Sequence, residues 1–511
     1  MAKASTLAQL VNYLSKAEKR YFKLQSSLQK GNKDYLSLFK LLEQGTEVIR
    51  LKSIFRKTHP RSSYETTLKH LYKVLTDCLL HLRMEQDKST SLLTALLKAN
   101  ILFEKSLYVE GFVQLKKIQT RAQEYEQPMI QFWAARQELY YLCNLTFHAV
   151  PEVQLVQKQM KIQEILRYVR NNHQHNSLYE LLRHRFVYKG NTRTADHKKE
   201  LNDLVVSELG LMSNPVGETF ETHKTHLLFQ AQYFITINDY KSALSAFYEL
   251  NELLEEHQYL WIDSPIDYLS AIEGILDSLR AIQRYDDMHY FINKLPGIPK
   301  KSVYLEVMVR RVSYIYDIIS LIDRGEFKKA IHLQARFEES LFRKIHVLDP
   351  DKQAEVYLYT ALIYFGASDM KKAHHYLSKV LLDSPRYYNL PIYQTFRLIH
   401  LLVHYELGNH DYILHEIRSV KRKFKNVRSK TYKLEKIVFL FIQTTPLPTV
   451  AKHRTALWLK FKTMFNQISV DKYEIQILKI FDFSSWIEAK LCRIPFADLL
   501  KAKFKPGIVE S

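Results

Sequence analysis

The 511-residue sequence predicts an all-α protein. Apolar residues recur at spacings of three and four along nearly the whole chain, which is typical of helices that bury one face, and alternating strand-like stretches are absent. Glycine (12) and proline (14) are too scarce for a turn-dense all-β protein or a linker-rich chain. Short polar turns divide the pattern into pieces of about 12–25 residues, a usual helix length.

Residues 1–90 are predicted to form a separate helical module. Capping boxes, in which a serine precedes a glutamate by three positions, predict helix starts at Ser15 and Ser62. The expected helices cover 5–30, 32–44, 47–57 and 63–86.

The last two helices of this module have helix-turn-helix proportions. They place Lys69, His70 and Lys73 on the second helix, where a nucleic-acid reader would need its contacts. The apolar positions of that helix describe only a core face. We therefore favour a helical bundle or solenoid cap, with a nucleic-acid reader as the alternative.

Three segments share one pattern: a small residue, a large apolar residue three positions later, a polar turn, and a second small residue twelve positions after the first. Two helices of a hairpin approach closely only where small residues face each other, because bulky pairs would overpack the crossing. Weaker copies place their turns 40–45 residues apart. The expected packing positions are Ala99 and Gly111, Ala231 and Ala243, and Ala361 and Ala373.

This pattern resembles the tetratricopeptide repeat family over residues 91–128 and about 223–425. The copies are longer than the ~34 residues of that family. Leu276, Ile318 and Leu401 stand at small-residue positions. The resemblance implies an α-solenoid of stacked helical hairpins. The family pattern is a large residue followed by Leu-Gly, Tyr, Ala, Phe, Ala and Pro. In this chain these positions correspond best to Tyr357, Thr360-Ala361, Tyr364, Ala373, Leu377, Val380 and Pro385.

The chain is therefore expected to have three parts. These are an N-terminal helical module over 1–90, a tetratricopeptide-repeat-like solenoid over 91–425, and a C-terminal basic helical cap over 426–511.

The positive charge of the chain is concentrated at its two ends. The formal net charge is +20; residues 1–90 carry +9 and residues 412–511 carry +12, while the middle carries −1. Basic surfaces attract anionic partners, although a solvated helix face is the simpler explanation. The candidate contacts to an anionic partner are Lys421, Arg422, Lys423 and Lys425.

The sequence offers no catalytic, cofactor or metal site. Phosphate-binding glycine loops and Cys/His clusters are absent. His173 and His175 would point to different faces of a helix, and His374 is expected to flank the packing face of Ala373. Cys143 lies in an apolar helix and is expected to be a buried, unreactive thiol.

The expected compartment is the reduced cytoplasm. The three cysteines form no disulfide pattern, and neither a secretory signal nor an apolar stretch long enough to span a membrane is present.

The function class that these observations favour is a non-enzymatic scaffold or adaptor. In this hypothesis a helical-repeat surface holds another protein or peptide, whose identity the sequence does not indicate. The alternative is a nucleic-acid-associated or regulatory protein that uses the basic N-terminal module and C-terminal region, although no nucleic-acid motif supports it.

Overall fold

The computed structural model is all-helical over the residues that it describes, as predicted, and contains no strand among them. The chain forms two compact units, residues 1–170 and 171–511. The predicted boundaries at residues 90 and 425 stay predictions. The described residues are all except 1–3, 29–32, 85, 148–149, 214–218, 301, 383–386, 389, 426–432, 472–477 and 505–511, and the side chains of 420–425.

The first unit is a series of helices in which neighbours along the chain pack together. Its N-terminal helices share one apolar core, which runs from Leu7 to Cys78. The helices are α1 (Ala4–Tyr13), α2 (Lys16–Leu28), α3 (Asp34–Glu43), α4 (Val48–Thr58), α5 (Tyr64–Met84), α6 (Lys88–Glu104), α7 (Tyr108–Glu124) and α8 (Pro128–Asn144), and α9 (Glu152–Lys189) has residues in both units.

Of the two capping boxes predicted in the N-terminal module, the structure contains the one at Ser15. The single helix predicted over 5–30 is wrong, because the chain breaks before Ser15 and α2 begins with a capping box. The Glu18 N–H donates to the Ser15 hydroxyl (3.2 Å), and the Ser15 N–H donates to the Glu18 carboxylate (2.7 Å). The start predicted at Ser62 is also wrong. Its hydroxyl bonds to the Asp34 carboxylate, and α5 begins at Tyr64.

The second unit has a continuous apolar core that extends from Phe220 to Leu500. The C-terminal helices therefore share their core with the helices that precede them. The helices of this unit are α10 (Ala195–Lys199), α11 (Asn202–Met212), α12 (Phe220–Thr236), α13 (Tyr240–Glu256), α14 (Gln258–Trp261), α15 (Ile266–Ala281), α16 (Tyr285–Lys294), α17 (Val303–Asp323), α18 (Phe327–Arg336), α19 (Pro350–Gly366), α20 (Met370–Leu381), α21 (Ile392–Glu406), α22 (His410–Lys425), α23 (Lys433–Gln443), α24 (Ala451–Ser469), α25 (Phe483–Cys492) and α26 (Phe496–Lys503).

One backbone turn recurs between paired helices. At Asn238 the chain adopts a positive φ of 66°, and the next N–H, from Asp239, donates back to the carbonyl of Phe234. This arrangement satisfies carbonyls that a helix end leaves without partners. The N–H of Asn238 itself donates to the carbonyl of Ile235. The same positive φ and the same two backbone hydrogen bonds occur at Gly45, Ser106, Glu126, Thr146, Asn238, Gln283, Gly325, Ser368 and Gly408.

The six small residues singled out in the sequence are all buried. Ala231 and Ala243 lie on the packed pair α12 and α13, and Ala361 and Ala373 lie on the pair α19 and α20. Between hairpins, Gly274 has a similar role: a Cβ atom there would lie 2.1 Å from the Phe247 ring. Ala99 and Gly111 are buried on α6 and α7.

None of the helices in the described ranges is both long and apolar enough to cross a membrane.

The packing at Ala373 gives a first prediction. Ala373 is fully buried, so Ala373→Leu should lower the free energy of unfolding by about 1–3 kcal/mol through overpacking. The exposed neighbour provides the control, because Lys371→Leu should change stability by less than about 0.5 kcal/mol. Urea unfolding of both variants measures the difference. Equal, small effects would show that α19 and α20 do not cross closely at Ala373.

Candidate functional site

A cleft of about 740 Å³ lies in the second unit, at the turn ends of three successive hairpins. Residues 238–241, 280–283, 285 and 322–323, at or beside these turns, form part of its wall. The rest of the wall includes residues of the C-terminal segment, by which we mean residues 478–504. The chain thus brings its C-terminal segment to the turns of hairpins that begin at residues 220, 266 and 303.

A glycine lets the C-terminal segment approach the third turn. Gly325 has a φ of 70°, and a Cβ atom there would lie 2.5 Å from the backbone oxygen of Ala497 in α26. Any other residue would therefore push α26 away from the turn. Next to this contact, the rings of Phe327 and Phe496 stack with their centroids 6.0 Å apart.

Aromatic packing fixes the first residues of the C-terminal segment. Phe481 is buried, and its ring lies 5.4 Å from the Phe365 ring of α19 and 5.4 Å from the Phe496 ring. Edge-to-face and offset contacts of this kind are favourable beyond the area that they bury. The Phe481 side chain is therefore anchored between a hairpin helix and α26.

Arg280 joins the hairpins to the C-terminal segment through a buried guanidinium group. One terminal nitrogen donates to the Tyr359 hydroxyl (2.6 Å), and the other donates to the backbone carbonyl of Lys479 (2.7 Å). The Nε atom faces the Asp323 carboxylate at 3.4 Å, which also accepts a hydrogen bond from Tyr285. Burial alone would lower the pKa of Arg280, but Tyr359 and Asp323 raise it, so the group stays charged.

Lys479 itself reaches into the hairpin wall. Its Nζ atom lies 3.1 Å from the Asp277 carboxylate and 3.7 Å from the centre of the Tyr240 ring. Burial lowers the pKa of Lys479, while Asp277 opposes that change. The side chain is thus held by a carboxylate and by the face of an aromatic ring, two features that recognise cations.

A second buried cation, Arg311, lies between two acidic side chains. Its guanidinium group is paired with Glu273 on α15 and with Glu355 on α19. Two partly exposed carboxylates thus share one buried arginine. Burial raises the pKa of Glu355 to about 7, and Arg311 opposes the shift. The Glu355 carboxyl group therefore keeps its proton to a higher pH than an ordinary glutamate does.

The structure also places the other residues that the sequence analysis named. Lys69, His70 and Lys73 are exposed on α5, and the nucleic-acid hypothesis stays a prediction. Cys143 is exposed, so the expectation of a buried thiol is wrong: it follows the buried Leu142 and lies on the outer face of α8. The backbone of Lys421, Arg422, Lys423 and Lys425 belongs to α22, and their side chains lie outside the described residues.

The two histidines near residue 174 differ in their surroundings. His175 is buried, and its Nδ1 atom lies 3.2 Å from Glu208, which also lies 2.7 Å from Nδ1 of His226. Although burial acts in the opposite direction, these two histidines lower the pKa of Glu208. His173 is not part of this contact.

Three other histidines come together that the sequence analysis did not connect. His400 and His404 lie one turn apart on α21, and His374 comes from α20. A nitrogen atom from each lies within 4.8 Å of the other two. Burial lowers the pKa of His400 to about 3 and also lowers the pKa of His404, so both rings are neutral at pH 7. The H-x-x-x-H spacing at 400–404 was the available signal.

Comparison with protein-family models and with curated proteins found no match to this chain.

The contacts of Arg280 give a second prediction. Arg280→Met keeps the apolar stem but removes the charge, which leaves the Lys479 carbonyl without its donor and removes the charged one of the two donors to Asp323. We expect a loss of about 3–5 kcal/mol in the free energy of unfolding. Amide hydrogen exchange should also become faster in residues 478–482.

Arg284→Met is the matched control for this experiment. Arg284 is exposed and forms a surface ion pair with Asp287, three positions along the chain, so its loss should cost less than about 0.5 kcal/mol. Unchanged exchange in residues 478–482 of the Arg280 variant would contradict the role of Arg280 as the link.

The shared arginine site gives a prediction on pH. The folded chain holds the Glu355 proton up to a pKa of about 7, whereas an ordinary glutamate loses it near 4.5. The folded state therefore binds more protons than the unfolded state between these values, and stability falls as pH rises through this window. Between pH 5 and 7, the free energy of unfolding should fall by about 1–3 kcal/mol less in Glu355→Gln than in the unchanged chain, as measured by urea unfolding. If stability depended on pH equally in the unchanged chain and in Glu355→Gln, this prediction would be wrong.

Proposed function

We propose that this chain is a non-enzymatic interaction protein, in which a tetratricopeptide-repeat-like series of helical hairpins binds a segment of another protein in the cleft beside Arg280. The partner segment would occupy the space between the hairpin turns and residues 478–482.

The recurring turn supports the helical-repeat part of this proposal. Nine of the described helices end with the same backbone conformation, and five of those turns, at 238, 283, 325, 368 and 408, follow one another at intervals of 40–45 residues. Proteins built from such units use the surfaces that adjacent units form together to bind extended partners.

The observation that carries the binding part is the hydrogen bond from Arg280 to the backbone carbonyl of Lys479. A contact to a backbone carbonyl does not depend on side-chain identity, so this arginine is suited to hold peptide main chain. Around it, Asp277 and Tyr240 hold a cationic side chain, and an aromatic cluster holds Phe481. The wall of the cleft thus already binds a peptide segment, supplied by the chain itself.

Site-specific crosslinking tests the proposal. A photoreactive amino acid would replace Lys241 or Gln283, two exposed residues that line the cleft, and the full chain would be irradiated in nuclease-treated extracts of its native cell. Both positions should capture the same polypeptide, identified by mass spectrometry. Once purified and added to the unchanged chain, that polypeptide should protect the Lys241 amine from chemical modification.

Lys371 is the control position, because it is exposed on α20 and does not line the cleft. Capture from Lys371 as strongly as from Lys241 and Gln283 would contradict binding in the cleft. Capture from none of the three positions would also contradict it. Adducts with nucleic acid in extracts without nuclease would instead favour the alternative hypothesis.

A further inference from the structure

We propose that His374, His400 and His404 form a binding site for a divalent transition metal, with Zn²⁺ as the best-fitting ion. This inference is independent of the peptide-binding proposal and departs from the sequence-based expectation that the chain has no metal site. The three histidines belong to α20 and α21, and their polar neighbours are Ser378 of α20, Asn409 before α22 and Tyr412 of α22.

The distance between the two helical histidines matches a metal site. The Nε2 atoms of His400 and His404 lie 3.2 Å apart. In a tetrahedral zinc site with Zn–N bonds of 2.0–2.1 Å, two ligand nitrogens are separated by about 3.3 Å. Histidines at positions i and i+4 of a helix project to one face, so the helix itself presets this pair.

The third histidine needs only a small movement to complete the set. Its ligand atom lies within 4.8 Å of the other two, so an approach of at most about 1.5 Å brings it to ligand distance. His374 is half-buried, whereas His400 and His404 are 7% and 9% exposed. The more accessible ring can therefore rotate toward the ion, and its side of the cluster provides a path for entry.

The remaining ring nitrogens have polar partners of the kind that orient metal ligands. Nδ1 of His400 lies 3.1 Å from the Tyr412 hydroxyl, and Nδ1 of His374 lies 3.3 Å from the Ser378 hydroxyl. Both hydroxyl groups can accept a hydrogen bond from the Nδ1–H group, which leaves the Nε2 lone pair for a metal.

His404 is oriented in the same way by Asn409. Its Nδ1 atom lies 2.9 Å from the side-chain amide of Asn409. A half-turn of that amide would present its carbonyl oxygen to an Nδ1 proton, the tautomer that coordination through Nε2 requires. In the metal-free chain, His404 can instead donate its Nε2 proton to His400.

His404 also departs from the hairpin pattern. At the turns at 238, 283, 325 and 368, the residue four positions before the left-handed residue is large and either aliphatic or aromatic, as with Phe234 before Asn238 and Leu321 before Gly325. Before Gly408 this position holds His404. A polar ring at a core position is costly unless its nitrogen atoms are satisfied, and such departures concentrate at functional sites.

Three imidazoles suit a borderline divalent ion. Imidazole is a good ligand for Zn²⁺, Ni²⁺ and Cu²⁺, whereas Mg²⁺ and Ca²⁺ require oxygen ligands. Three protein ligands leave the fourth tetrahedral position for water or for a group from a bound molecule. The site therefore has the ligand number of an open zinc site.

Titration of the metal-free full chain with Co²⁺ tests the site directly. Co²⁺ accepts the same ligands as Zn²⁺ and absorbs visible light strongly when tetrahedral. We expect one equivalent to bind with intense tetrahedral bands, which added Zn²⁺ should abolish. His374→Asn, which changes the least buried ligand, should weaken Co²⁺ binding by more than about 100-fold, beyond the 10–100-fold expected for an outer partner.

His415→Gln is the matched control, because His415 is exposed on α22 and lies outside the cluster. It should bind Co²⁺ as the unchanged chain does, and circular dichroism should show the same helix content in both variants. If His374→Asn does not fold, Asn409→Leu provides the second test, with an expected 10–100-fold loss. No spectral change, weak octahedral bands, or equal binding by the ligand and control variants would overturn the proposal.

Discussion

The turn that closes each hairpin is the constraint on which the rest of the structure depends. One residue adopts the left-handed conformation so that the helix-end carbonyls receive backbone donors. At Ser106, Asn238, Gln283 and Ser368 this residue is not glycine, at a cost of about 1–2 kcal/mol for each. Because the turn is so short, the second helix returns at once along the first. Small residues such as Ala361 and Ala373 are then required where the two helices cross.

The C-terminal segment is as much a part of this architecture as the hairpins are. Arg280 takes its partners from α17, from α19 and from the backbone of Lys479. A buried guanidinium group is tolerated only when its donors are satisfied. Its partners must therefore be present together. If the C-terminal segment left, the buried guanidinium group would lose the Lys479 carbonyl as a hydrogen-bond acceptor. The polar contacts thus select one position for a segment that apolar packing alone would hold less specifically.

Periodicity in the sequence was enough to predict the helices and the turns between them. It predicted the all-α class and placed the turns near Asn238, Gly325 and Gly408, because local backbone rules act over a few residues. The breaks before Ser15 and after Ser62 were harder to place. At Ser62 a tertiary contact with Asp34 competes with helix capping, and spacing within the sequence carries no information on such a partner.

The candidate sites were less predictable, since they join residues that are far apart in the chain. Arg280 and Lys479 are separated by 199 positions, and neither stands in a recognisable motif. His404 could have been recognised, because it replaces an apolar residue of the hairpin pattern and follows His400 at helical spacing. His374 becomes a member of the cluster only once α20 packs against α21.

Both candidate sites lie at hairpin turns, and the backbone explains why. The recurring turn satisfies its own carbonyls, so the side chains beside it are free to vary without loss of the fold. After the left-handed residue, Asp239 and Asp369 accept hydrogen bonds from the first turn of the next helix, whereas Asn409 faces His404. One backbone position thus caps a helix in two hairpins and orients a histidine in a third. Chemistry can therefore differ from hairpin to hairpin while the packing that supports it stays the same.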